Sequence, residues 1–138
     1  MRTVLLAAGL LLLAGPALAA DPIEGEWLTQ DSASKVRIGP CSGNPSQMCG
    51  VVSWLPPAKV NDLDHRNPNT SLQKRRILGS ATITGFKNSG PGKWSGGKIY
   101  DPATGKTYSG KLSANPDGTL KVQGCILMVC QGQKWKRN

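Results

Sequence analysis

The chain has 138 residues, a formal net charge of +9, 5% aromatic residues, 17 glycines and 10 prolines. That length bounds it to one small domain. No heptad, internal repeat or long amphipathic pattern competes with a β-rich reading, and the longest apolar run, Val4 to Leu13, is too short for a stable transmembrane span.

Residues 1–19 read as an export signal. Arg2 supplies the positive start, Val4 to Leu13 the apolar core, Gly15 and Pro16 a break, and Ala17-Leu18-Ala19 a small-residue cleavage site. Cleavage leaves residues 20–138 as a single β-barrel domain. No cysteine sits at the cleavage point, so an N-terminal lipid anchor is not expected. The expected location is a bacterial periplasm or the cell exterior.

Eight strand candidates follow, at about 24–30, 35–40, 48–54, 77–86, 93–101, 106–113, 118–126 and 129–137. Tyr108, Gly110 and Leu112 fall on one face with Thr107, Ser109 and Lys111 on the other. Leu120 and Val122 likewise oppose Lys121 and Gln123. Asp101-Pro102-Ala103-Thr104-Gly105 and Asn115-Pro116-Asp117-Gly118 place Pro early and Gly late, as type I turns ending in a left-handed residue do. Gly90, Gly92, Gly96 and Gly97 straddle a loop and a strand and fit a turn and a bulge rather than a phosphate-binding loop. Residues 55–76 interrupt the pattern with Pro56-Pro57 and a run of Asp and Asn. A single helical turn over Asn69 to Lys74, capped by Asn69 or Thr70, is expected there. A connection this long packs across one end of the sheet or acts as a lid, and a plug over the barrel mouth is the plainer version.

Eight sequential antiparallel strands predict an all-β, up-and-down barrel with one long connection after the third strand. Such a barrel is filled by side chains or holds one small ligand. The supply of apolar residues permits a partly polar interior or a modest cavity and demands neither. Trp27 near the start and Arg137 at the end suit a closing cation–π contact between the first and last strands.

Cys41, Cys49, Cys125 and Cys130 form an even set in an exported chain, which reads as two disulfides. Three pairings are open. Hairpin closure favours Cys41–Cys49 and Cys125–Cys130, each contributing roughly 2–3 kcal/mol. Zinc is the competing reading, but the spacings lack a two-residue knuckle.

The stretches Gly25-Glu26-Trp27-Leu28, Cys49-Gly50-Val51-Val52-Ser53-Trp54-Leu55, Trp94-Ser95-Gly96-Gly97-Lys98-Ile99-Tyr100-Asp101-Pro102 and Gly105-Lys106-Thr107-Tyr108 carry a resemblance, together with Gly124-Cys125, Cys130 and Trp135-Lys136-Arg137. They resemble the bacterial secreted family called domain of unknown function 2147, over nearly the whole exported part. The resemblance implies a small exported β-domain with no established activity. The Gly-x-Trp start and the terminal Arg also resemble the lipocalin and wider calycin pattern, in which the Arg covers the Trp at the barrel base. Unlike lipocalins, this chain places its long connection after the third strand and not the first.

Few residues invite chemistry. His65, the one histidine, lies between Asp64 and Arg66, but adjacent residues rarely face each other as an acid–base pair and no nucleophile stands beside them. Asp62, Asp64, Asn67 and Asn69 invite a calcium reading, yet the segment lacks the central Gly and final acidic residue of a calcium loop. Turn chemistry accounts for them with less effort. No cofactor, metal or catalytic residue is therefore expected.

The expected function is non-enzymatic binding of a small apolar or amphipathic ligand, with Trp54, Trp94, Tyr100 and Tyr108 as candidate pocket walls. The alternative is a cell-envelope interaction protein acting through its surface. Lys74-Arg75-Arg76 would meet an anionic lipid or protein, with nucleic acid excluded by compartment. Ile126-Leu127-Met128-Val129 would supply an apolar contact through Leu127 and Met128. That tetrapeptide has a structural reading too, as an end cap tucked under a neighbouring loop, and the two differ in its exposure.

Overall fold

The computed structural model describes Gly9 and residues 20–137; the expected export segment, 1–19, otherwise lies outside the described residues. Eight strands run in chain order: β1 (Gly25–Leu28), β2 (Lys35–Pro40), β3 (Gln47–Trp54), β4 (Ala81–Gly90), β5 (Lys93–Asp101), β6 (Lys106–Ala114), β7 (Leu120–Ile126) and β8 (Val129–Arg137). Each pairs antiparallel with the next, and β8 pairs with β1, giving a closed up-and-down barrel.

The sequence motifs account for most of this. Gly105 (φ 73°) and Gly118 (φ 83°) take the left-handed positions that end their turns. Gly96 (φ 73°) sits at a bulge where the β5–β6 register shifts between Ser95 and Gly97. The long connection carries two short 3-10 turns, Pro57–Lys59 and Thr70–Leu72, the second capped by the Asn69 side chain. β4 is the displaced element, beginning at Ala81 and not at residue 77. The apolar pair Ile77-Leu78 imitates a strand start, but the Ile77 N–H donates to the Asp62 carbonyl and Gly79 to Val52, so this segment closes the connection instead.

The base of the barrel, where the β2–β3, β4–β5 and β6–β7 turns gather, is solid. Ile23, Trp27, Ile38, Met48, Phe86, Trp94, Leu112 and Leu120 are buried there in one cluster. Phe86 lies across Gly97 and Gly110, and a Cβ on Gly110 would come within 2.6 Å of its ring. Two glycines on neighbouring strands thus make room for one aromatic ring, whose burial contributes about 2–3 kcal/mol. The N-terminal segment closes this end from below: the Trp27 indole donates to the Ile23 carbonyl, the Trp94 indole to Asp21, and the Arg137 guanidinium to the Pro22 and Glu24 carbonyls. The disulfides are Cys41–Cys49 and Cys125–Cys130, both local.

Closure between β1 and β8 is short. Among the described residues, only Trp27 with Arg137 and Leu28 with Lys136 are paired. Above them the Lys134 N–H, on the same edge, donates to the Gln30 side chain at 2.8 Å in place of a backbone carbonyl. The upper half of the β7–β8 hairpin therefore stands beside the β1–β2 loop without a ladder joining them.

Candidate functional site

Above the packed base the barrel opens into a cavity of about 1130 Å³, its mouth included, formed at the end where the β1–β2 loop, the long connection, the β5–β6 turn and the β7–β8 hairpin meet. Val36, Val52, Ile99, Val122 and Trp135 line its apolar part. Thr82, Tyr108, Gln131 and Gln133 add polar groups to the wall, and Lys59, His65 and Arg66 lie at the rim together with the carboxylates of Asp31, Asp62 and Asp101. The Thr82 hydroxyl is buried and has no hydrogen-bond partner among the described residues. A buried orphan hydroxyl is costly unless something else meets it.

The connection forms one wall of the mouth and is held there by a buried carboxylate. Asp64 is 1% exposed, accepts hydrogen bonds from the Tyr100 hydroxyl (2.5 Å), the Asn67 amide (2.9 Å) and Arg75 Nε (3.0 Å), and is ion-paired to Arg75 Nη2 at 3.0 Å. The Arg75 guanidinium also lies 5.8 Å from the Tyr100 ring centroid. Burial pushes the Asp64 carboxyl upward, but the three hydrogen bonds and the Arg75 charge outweigh it and hold the group below its ordinary value. Burial, and then the hydrogen bond to Asp64, pushes the Tyr100 phenol up to about 12. A second tie runs from the Arg66 guanidinium to the Ala103 carbonyl, beside Gly105, where any Cβ would strike the Arg66 backbone.

These contacts show where several of the candidate residues lie. Asp64 anchors the connection to β5 and is turned away from His65, which is exposed at the rim. Asn67 and Asn69 make local turn bonds, Asn67 Oδ1 accepting from the Asn69 N–H and Asn69 Oδ1 from the Ser71 N–H. Arg75 corrects the picture of a three-residue surface cluster, because it points inward to Asp64 while Lys74 and Arg76 remain exposed.

Of the four aromatic residues expected at a pocket, Tyr100 and Tyr108 line the cavity. Trp94 does not, because it is packed into the base with its indole on Asp21. Trp54 does not either. A register shift opposite Lys35 and Val36 puts one extra residue into β3, so Trp54 pairs with Lys35, whose ammonium lies 5.1 Å from the ring centroid. Alternation alone would have turned Trp54 inward, and the bulge reverses it. Gln131 and Gln133, which sequence reading passed over, face inward on β8 with Trp135; their every-second-residue spacing before Trp135 was the available signal.

At the mouth the β7–β8 hairpin projects an apolar tip. Leu127 and Met128 are 96% and 97% exposed, with Ile126 and Val129 also exposed. The reading in which this tip tucks under a loop as an end cap is thereby corrected. With β1 too short to reach it, the upper hairpin has no neighbouring strand to lie beneath.

A solid base, a terminal Arg over an N-terminal Trp and a cavity open at the other end define a lipocalin-like barrel. The chain belongs to the family described as "Uncharacterized protein conserved in bacteria (DUF2147)", whose model matches residues 25–137. Among solved structures it is similar to protein HP1028 from the human pathogen Helicobacter pylori, described as belonging to the lipocalin family. The TM-score is 0.75 at 22% identity, covering 86% of this chain and 84% of that one. No curated protein matches the sequence.

Proposed function

We propose that the protein is an exported, non-enzymatic binding protein that holds one small amphipathic ligand in the upper half of its barrel. The cavity carries this reading: it has the volume for a medium-sized organic molecule, apolar walls against the packed base and a polar rim of mixed charge. A ligand seated tail first would bury its apolar part against Val36, Val52, Ile99 and Val122. A polar group on it would meet the otherwise unpartnered Thr82 hydroxyl, with Gln131 and Tyr108 as further polar groups of the wall. The likeness to a lipocalin-family barrel supports the same reading. Export to the periplasm or beyond is supported by residues 1–19 and by the two disulfides, which persist in oxidising compartments.

Native mass spectrometry of protein purified gently from the periplasm tests the proposal. A discrete adduct, removed by organic solvent and identified in the extract, is the expected result. Protein that emerges without adduct and also fails to take up added amphiphiles would overturn it.

A further inference from the structure

We infer that the β7–β8 hairpin tip is a membrane-docking element that sets the cavity mouth on an anionic lipid surface, so that the ligand passes between bilayer and barrel. This rests on the cavity reading for the ligand, but the docking itself does not depend on it.

The tip breaks two rules of hairpin design at once. A two-residue β-turn normally places Gly, Asn or Asp where φ is positive, yet here Leu127 adopts φ 55°. Turn residues are also normally polar, yet Leu127 and Met128 are almost wholly in solvent. Neither feature serves folding, since the tip touches no core. Where local rules fail without a packing reason, function is the expected cause.

The surroundings specify the partner. From Val122 to Gln133 twelve consecutive residues carry no charge, within a chain of net charge +9. The Cys125–Cys130 disulfide ties the two strands just below the tip, so the apolar side chains are presented on a fixed support. The connection exposes Lys59, Arg66, Lys74 and Arg76 against the carboxylate of Asp62, with Asp31 exposed on the β1–β2 loop. An apolar projection at an end that also carries exposed cations matches an anionic bilayer, whose headgroups attract the cations while the acyl layer accepts the tip.

The route inward is continuous. Ile126 and Val129 belong both to the exposed tip and to the cavity lining, and Val122 follows on the same face of β7. An amphiphile leaving the bilayer beside Leu127 and Met128 would pass Ile126 and Val129, then the Gly124–Gln131 pair, before meeting Val122 in the interior.

The test uses the exported chain, residues 20–138, with phosphatidylglycerol-containing vesicles and with pure phosphatidylcholine vesicles, in a flotation assay. Wild type is expected to float with the anionic vesicles and to bind phosphatidylcholine at least about tenfold more weakly, a difference erased near 0.5 M salt. The double substitution Leu127→Asn with Met128→Ser is expected to lose anionic-vesicle binding by about tenfold or more while keeping its near-ultraviolet circular dichroism and its uptake of a soluble amphiphile. Lys74→Ala with Arg76→Ala should weaken binding at low salt only. Equal flotation of wild type and the tip variant, or no flotation of wild type, overturns the inference. So does a wild-type dimer that the tip substitutions dissolve without any vesicle effect, which would make the tip a self-association surface. Loss of amphiphile uptake with vesicle binding intact would count against the cavity reading alone.

Discussion

The guanidinium carbon of Arg137 lies 4.0 Å from the ring centroid of Trp27, so the last residue but one of the chain covers the indole of its first strand. The same guanidinium donates to the Pro22 and Glu24 carbonyls, at 2.9 and 2.6 Å. One side chain therefore joins β1, β8 and the segment that closes the base. Because ladder pairing between β1 and β8 spans two residue pairs among the described residues, this side chain carries much of the closure.

Arg137→Ala is expected to destabilise the barrel by about 2 kcal/mol, from the lost cation–π contact and two charge-assisted hydrogen bonds, discounted for exposure. Arg137→Lys should recover only part of this, since an ammonium cannot stack on Trp27 and reach both carbonyls in the same way. Urea unfolding of the three proteins measures it. Equal midpoints for wild type and Arg137→Ala would show that closure does not depend on this side chain.

Phe86 gives a packing prediction. Gly110→Ala places a methyl within 2.6 Å of the Phe86 ring in a fully packed base and should cost about 1–3 kcal/mol. Adding Phe86→Leu to Gly110→Ala should cost less than the sum of the two single changes, because the smaller side chain leaves room for the methyl. Strict additivity in a double-mutant cycle would contradict the contact.

The Asp64 cluster makes stability depend on pH at both ends. The Asp64 carboxyl sits below its ordinary value, so its contribution is complete above about pH 4 and is lost as pH falls through the lower folded value. Asp64→Asn should cost about 2 kcal/mol at neutral pH, by leaving Arg75 without its partner, and should flatten this acid dependence. The Tyr100 phenol is raised to about 12, so its contribution is complete below about pH 10 and is lost as pH climbs through the folded value. In a Tyr108→Phe variant, which leaves Tyr100 as the sole tyrosine, phenolate absorbance should appear near pH 12 in the folded protein and near pH 10 after unfolding. Ionisation near pH 10 in the folded state would remove the hydrogen bond to Asp64 from the account.

Much of the barrel is legible in the residues themselves. β5 to β8 announce themselves by alternation and by Pro-to-Gly turns, and the closing pair by Trp27 and Arg137 at the two ends. The site is less legible, for reasons that can be named. Asp64 meets Arg75 and Tyr100, 11 and 36 residues away, and no local pattern encodes that meeting. Trp54 changes face at a bulge that has no glycine to mark it, whereas the bulge in β5 is marked by Gly96. Ile77-Leu78 reads as strand because burial in a connection and burial in a sheet use the same residue types.

Leu127 offers a stability prediction opposite in sign to its role at the tip. Leu127→Asn suits a positive φ and removes an exposed apolar side chain, so it should stabilise the hairpin by about 1 kcal/mol. Thermal unfolding of the single variant measures this. A lower midpoint than wild type would mean that the Leu127 side chain makes a contact the folded monomer needs.

The most direct test of the central claim, a barrel packed below and open to a ligand above, is titration with a dansyl-labelled medium-chain fatty acid. Wild type is expected to bind it saturably, one per chain, with a blue-shifted emission. Gln131→Trp, which fills the cavity from its exposed upper wall, should weaken binding by about tenfold or more without lowering thermal stability. Binding that is absent in wild type, or unchanged in Gln131→Trp, would contradict the account.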